Sequence, residues 1–203
     1  MSIYHQATFA FSANHQKQLP DEARCEIAFA GRSNAGKSSA LNTLTAQKAL
    51  ARVSKTPGRT QLINYFALPS VGNFLVDLPG YGYADVPPSI KAHWEKLLTN
   101  YLMERKALRG VVLLMDIRHP LKDLDIAMLE CCAARDLPVC ILLTKADKLS
   151  RSAQLAQIRL VQSALEDFPS PLQIQAFSSL KKQGLQDLEQ WLDGILSGEG
   201  EYV

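Results

Sequence analysis

The run Gly31-Arg-Ser-Asn-Ala-Gly-Lys-Ser38 sets two glycines, a lysine and a hydroxyl at the spacing G-x-x-x-x-G-K-[ST]. That combination is suited to holding phosphate. Gly31 and Gly36 let the backbone curl, so that N–H groups along Arg32, Ser33, Asn34 and Ala35 turn inward toward phosphate oxygens. Those donors continue into the unsatisfied first turn of a helix starting near Ser38, where the helix dipole favours an anion. Lys37 puts a point charge between the β- and γ-phosphates of a nucleotide, which makes it a catalytic candidate as well as a binding one. The Ser38 hydroxyl can ligate Mg²⁺.

Two further motifs narrow the ligand. Asp77-Leu78-Pro79-Gly80 ends an apolar run forty residues after Lys37. A strand-end aspartate there can bind Mg²⁺, and the Gly80 N–H can meet a γ-phosphate. Standing alone, the stretch would read equally well as a Pro-Gly bend. Thr144-Lys145-Ala146-Asp147 ends a later apolar run, at the strand end where α/β sheets bind ligands. The Asp147 carboxylate can accept from guanine N1–H and the exocyclic N2 amine, whereas adenine offers neither donor, and such a mismatch discriminates strongly. The Lys145 stem can lie along the base. Phe177-Ser178-Ser179 follows another strand and is placed for a backbone N–H contact to guanine O6.

These motifs need a scaffold that brings their loops to one edge. "CEIAFAG" (25–31) reads as a strand feeding the glycine-rich loop, and 38–45 as the helix after it. "QLINYFAL" (61–68) and "NFLVDLPG" (73–80) flank a turn and read as a hairpin. "GVVLLMDI" (110–117) and "PVCILLTKAD" (138–147) are continuous apolar runs, expected of parallel strands covered on both faces. "LQIQAFSS" (172–179) supplies the last strand. Helices are expected over 88–107, 121–135, 153–165 and 185–196. The fold class is α/β, with a mostly parallel six-stranded sheet, one antiparallel strand and helices on both faces.

At 203 residues, 47% apolar and 21% charged, the chain suits one large domain rather than a disordered one. Its net charge of +2 is unevenly spread. Residues 48–109 carry nine Lys/Arg against four acids, and residues from 116 onward nine against thirteen. The basic middle suggests a polyanionic partner, or simply an uneven solvated surface. The four cysteines form no metal-binding spacing and read as buried free thiols of a reducing compartment. No signal peptide and no apolar stretch of about 18–20 residues is visible, so no membrane insertion and a cytoplasmic location are expected.

Taken together, "GRSNAGKSSALN", "SKTPGRTQLINYF", "VDLPGYGYA" and "LLTKADKLS" resemble the EngB (YihA/YsxC) family of small bacterial P-loop GTPases, in the TrmE-Era-EngA-EngB-Septin-like superfamily. The resemblance spans about residues 20–197 and divides the chain into an extension (1–22), a G domain (23–197) and a tail (198–203). It implies a GTP-binding and hydrolysing switch with GTP/GDP as ligand and Mg²⁺ as cofactor. Thr60 would be the switch threonine, joining Ser38 and Asp77 at Mg²⁺ and acting in catalysis. Gly58, Arg59, Gln61 and Leu62 would lie beside the nucleotide. The resemblance also implies a role in large ribosomal subunit assembly, with rRNA or ribosomal protein as partner, and a link to cell division and septation. A monomer is expected.

Three positions depart from commoner GTPase patterns. Thr144 stands where many carry Asn, which implies weaker nucleotide affinity. Tyr81 stands where Ras-type enzymes carry a water-orienting Gln, which implies slow hydrolysis. Asn34 occupies the position at which several slow bacterial GTPases hold K⁺, making it a catalytic candidate; the alternative is that it accommodates an unusual loop conformation. A P-loop ATPase or nucleotide kinase acting on a small substrate is the other class. It is disfavoured by TKAD and by the lack of a visible second substrate domain or lid.

Overall fold

The computed structural model describes residues 2–51, 62–82 and 88–198, and over 88–95 the backbone alone. Its strands are β1 (Thr8–Ala13), β2 (Cys25–Gly31), β3 (Ile63–Ala67), β4 (Asn73–Asp77), β5 (Leu108–Asp116), β6 (Val139–Thr144) and β7 (Leu172–Ala176). Its α-helices are α1 (Lys37–Leu44), α2 (Pro88–Glu104), α3 (Asp123–Ala133), α4 (Arg151–Ala164) and α5 (Leu185–Ser197). The strands form one sheet in the order β1-β3-β4-β2-β5-β6-β7. β3 runs antiparallel to both its neighbours, and every other pairing is parallel.

The continuous apolar runs follow from this layering. Along β5, Val111, Leu113 and Met115 face the core shared with α2, α3 and α4, while Val112 and Leu114 face the core shared with α1 and α5. β6 alternates in the same way, with Ile141 and Leu143 on one side and Cys140 and Leu142 on the other. Neither face meets water, so no polar alternation is needed. β2, β4, β5 and β6 therefore end together, at Gly31, Asp77, Asp116 and Thr144. This carboxyl edge is where a doubly covered parallel sheet binds its ligand.

The sheet has seven strands where six are expected. The extra one, β1, comes from the segment ahead of the phosphate loop and pairs with β3 across more than fifty residues of sequence. Its outer half is exposed, and it carries an irregularity between Phe9 and Phe11, so its apolar pattern is weak. The segment is also anchored elsewhere. Tyr4 is buried and its hydroxyl donates to Asp193 Oδ1 on α5 at 2.6 Å, and the Gln47 amide donates to the Ala7 carbonyl at 2.8 Å.

One charge lies inside. Glu26 on β2 is fully buried and accepts from Arg105 Nε at 2.9 Å, from the Tyr101 hydroxyl at 2.7 Å and from the Tyr65 hydroxyl at 3.2 Å. A buried carboxylate survives only with such partners. Arg105 is thereby committed to the interior rather than to the basic surface with which its sequence position groups it. All four cysteines are free thiols; three are buried and Cys131 is half-buried. Burial pushes Cys25 up to about 11 and Cys132 up to about 12. Among the described residues no helix is long and apolar enough to cross a membrane.

Candidate functional site

β2 delivers the chain into the glycine-rich loop at Gly31, where a Cβ would stand 2.9 Å from the Leu114 carbonyl oxygen, so only glycine fits. The loop turns at Asn34 (φ 62°) and again at Gly36 (φ 95°), the residue that opens α1. Both lie in the left-handed region, which glycine adopts freely and asparagine better than most residues. Asn34 is exposed on the loop, and Lys37 and Ser38 form the first turn of α1.

Lys37 Nζ is paired with Asp77 Oδ1 at the end of β4, and both side chains are largely buried. The phosphate-loop cation and the strand-end carboxylate thus face each other across the site. Ser38 and Asp77 offer the hard oxygen donors that Mg²⁺ favours. Among the described residues no group of three His, Cys, Asp or Glu could hold a metal unaided. Thr60, with Gly58, Arg59 and Gln61, lies outside the described residues. Leu62 precedes β3 and is half-buried.

Past Asp77, the Leu78-Pro79-Gly80 turn leads to Tyr81, which lies alongside the start of the phosphate loop in a parallel bridge with Arg32. The Tyr81 N–H donates to the Gly31 carbonyl at 3.3 Å, and its own carbonyl accepts from the Ser33 N–H at 2.8 Å. Its hydroxyl is turned to Asp125 on α3, where it donates to Oδ1 at 2.8 Å.

The loop after β6 is joined directly to the phosphate loop. The Thr144 hydroxyl lies 2.7 Å from the Ala35 carbonyl and 3.1 Å from the Met115 carbonyl. A threonine therefore supplies the tie between the two loops that asparagine makes in many GTPases. Lys145 turns through φ 58°, and its Nζ lies 3.0 Å from Asp116 Oδ2 at the end of β5. Hydrogen bonds from Arg118 and Lys145 hold the Asp116 carboxyl well below the usual range. Asp147 presents a carboxylate that is oriented from one side, because the Ser178 hydroxyl donates to its Oδ1 at 2.6 Å. That bond lowers the Asp147 carboxyl below its ordinary value.

The last segment differs in detail from expectation. The Phe177 N–H is committed to the Leu143 carbonyl at 2.8 Å and the Ser178 N–H to the Gln183 carbonyl at 3.2 Å. Among the described residues the Ser179 N–H has no backbone partner, so of the three it is the one left available. Ser178 acts instead through its hydroxyl. Sequence reasoning also missed Asp116 and Asp125. Asp116 ends an apolar strand at the ligand edge, a signal that could have found it; Asp125 carries no such signal.

The tie through Thr144 has a measurable consequence. Thr144→Val keeps the shape and removes the hydroxyl, whose one proton is shared between the Ala35 and Met115 carbonyls. GTP and GDP are both expected to bind about tenfold more weakly, the scale of one lost buried hydrogen bond, with guanine preference retained. Thr144→Ser should bind normally in the same fluorescent-nucleotide titration. Wild-type affinity in the valine variant would show that the tie contributes nothing to binding.

A family model described as 50S ribosome-binding GTPase matches residues 26–145. The probable GTP-binding protein EngB of Enterobacter sp. (strain 638) is 56% identical over 195 residues, covering 96% of this chain and 93% of the relative. The protein of the same description from Salmonella typhimurium (strain LT2) is 56% identical over 194 residues, covering 96% and 92%. Among solved structures, a probable GTP-binding protein engB aligns with a TM-score of 0.69 at 21% identity, over 86% of this chain and 100% of that one. A GTP-binding protein from Sulfolobus solfataricus in complex with GDP aligns with a TM-score of 0.60 at 19% identity, over 87% of this chain and 53% of that one. With a matching GTPase family model over more than half of its length and relatives of one description at 56% identity over 96% of it, the chain belongs to the EngB family of GTP-binding proteins.

Proposed function

We propose that this chain is a slow GTP-hydrolysing switch that acts in the cytoplasm as a monomer, on the large ribosomal subunit during its assembly, with a consequent role in cell division and septation. The observation that carries the switch is the contact from Thr144 to the phosphate loop. It sets the carboxylate that would read guanine and the lysine that would hold the phosphates on one rigid edge. Lys37 and Asp77 neutralise each other. Lys37 would hold the phosphates of a bound nucleotide, and Ser38, Asp77 and Thr60 would hold Mg²⁺, which would supply positive charge to offset that of the phosphates. Tyr81, turned toward Asp125, does not orient water, so turnover is slow.

K⁺ held through Asn34 is our reading of how that slow hydrolysis is assisted, in the manner of an arginine finger. The support is position: Asn34 is exposed on the phosphate loop at a left-handed turn. Hydrolysis is expected to run several-fold faster in K⁺ than in Na⁺ at equal ionic strength, a small part of the roughly 10³–10⁵ that an arginine finger contributes. Equal rates in a phosphate-release assay would remove the cation and leave the switch standing.

The ribosomal partner rests on the description of the matching family and on exposed bases. Lys48, Lys96, Lys106 and Arg109 are exposed, whereas Arg105 is held by Glu26 and drops out. Arg52, Lys55 and Arg59 lie outside the described residues, as does the Lys91 side chain. A partner that reads the switch must bind the two nucleotide states unequally. Co-sedimentation with large ribosomal subunits tests this. The GTP-analogue state should pellet with the subunit and the GDP state should not. Binding through phosphates should weaken steeply with salt, and neutralising one base should lower the logarithmic slope by about one. Equal binding in both states would refute the switch on the ribosome, and insensitivity to salt would point to a protein contact.

A further inference from the structure

The Asp77–Gly80 turn is followed by a residue held more firmly than a turn requires. Tyr81 is fixed at three points: its N–H to Gly31, its carbonyl to the Ser33 N–H, and its hydroxyl to Asp125. The first two stitch it to the phosphate loop. The third reaches a helix forty-four residues later in the chain.

Asp125 is an unusual group to find there. It is 1% exposed, and its second oxygen accepts the Lys122 N–H at 3.0 Å. Burial raises its carboxyl above the ordinary range, while the Tyr81 hydroxyl, the Lys122 N–H and the nearby Arg32 charge pull it back. Arg32 belongs to the phosphate loop, and its Nε is buried with no hydrogen-bond partner among the described residues. A tyrosine that only filled space would need neither a hydroxyl nor a buried carboxylate, since phenylalanine fills the same volume. A buried carboxylate is costly to keep, and the group it fixes here is the residue after Gly80.

We propose that Asp125 is a positioning residue for the γ-phosphate side of the site, acting through the Tyr81 hydroxyl to hold the Gly80 N–H in place beside the phosphate loop. This rests on the GTP-switch reading above. GDP has no γ-phosphate, so Gly80 has nothing to contact in that state. Releasing the anchor therefore acts on one nucleotide and spares the other. A residue that merely stabilised the fold would weaken both alike.

The test is the ratio of affinities for a non-hydrolysable GTP analogue and for GDP, measured by fluorescence titration beside a thermal unfolding curve. Tyr81→Phe is expected to bind the analogue about 5- to 10-fold more weakly, the scale of one lost hydrogen bond, with GDP affinity within about twofold of wild type. Asp125→Leu should shift the ratio by the same factor. Asp125→Asn, whose amide oxygen can accept the Lys122 N–H while its NH₂ group donates to the Tyr81 hydroxyl oxygen, should restore most of it. An unchanged ratio in Tyr81→Phe and Asp125→Leu, whatever happens to their melting temperatures, overturns the proposal while wild-type GTP binding stands. A wild-type protein that binds the GTP analogue no better than an ATP analogue removes the switch reading, and this proposal with it.

Discussion

Lys37→Ala is expected to abolish measurable GTP turnover and to weaken nucleotide binding by about 10³-fold, or ~4 kcal/mol. Lys37 is the side chain that opens α1 with a cation at the phosphate loop, while the loop's other cation, Arg32, lies near Asp125. The structure adds a second effect. Lys37 is also the partner of Asp77, which is only 3% exposed. Removing one member of a buried pair leaves the other uncompensated, at a cost on the order of 3 kcal/mol. The ligand-free variant should therefore also melt earlier. The two effects separate in the double variant. Adding Asp77→Asn to Lys37→Ala removes the stranded charge and should recover much of the stability, but none of the binding. Calorimetric unfolding and nucleotide titration on the same three proteins read both. A Lys37→Ala protein that hydrolyses GTP at the wild-type rate would place the site elsewhere.

Much of this arrangement is legible in the chain, for a physical reason. A strand buried on both faces has to be apolar throughout, so β2, β5, β6 and the loops that end them stand out in the sequence. The glycines at 31 and 36 mark a close approach and a left-handed turn that other residues resist. What stays hidden depends on partners far away in sequence. Glu26 sits within an otherwise apolar run, and only Tyr65, Tyr101 and Arg105, 39 to 79 residues later, make its burial tolerable. β1 is legible only through its pairing with β3, because an exposed edge strand buries too little to imprint a pattern. The same limit applies within the site. The spacing of TKAD points to a base-reading carboxylate but not to Ser178, whose hydroxyl reaches Asp147 across 31 residues.

Asp147→Asn is expected to lower GTP affinity by at least about 10²-fold, as two charge-assisted hydrogen bonds to the base are lost. The same change should make a xanthine nucleotide the preferred ligand. The reason lies in the direction of the donors. Guanine presents N1–H and N2–H, both donors, to the carboxylate that would read them. An amide in its place has one oxygen and one NH₂ group, and Ser178 decides which faces the base. Its hydroxyl donates to Asp147 Oδ1 at 2.6 Å, so in the variant the amide oxygen stays toward Ser178 and the NH₂ group turns outward. That NH₂ group meets the N2 amine of guanine donor to donor, but it meets the C2 carbonyl of xanthine as a partner. Buried polar groups left facing the wrong kind of neighbour are what make such sites selective. The serine also gives a control. In Asp147→Asn combined with Ser178→Ala the amide is free to flip, and part of the discrimination between xanthine and guanine should disappear. Competition titrations with GTP and XTP on the single and double variants measure this directly. GTP affinity within twofold of wild type in Asp147→Asn would remove Asp147 from the base site.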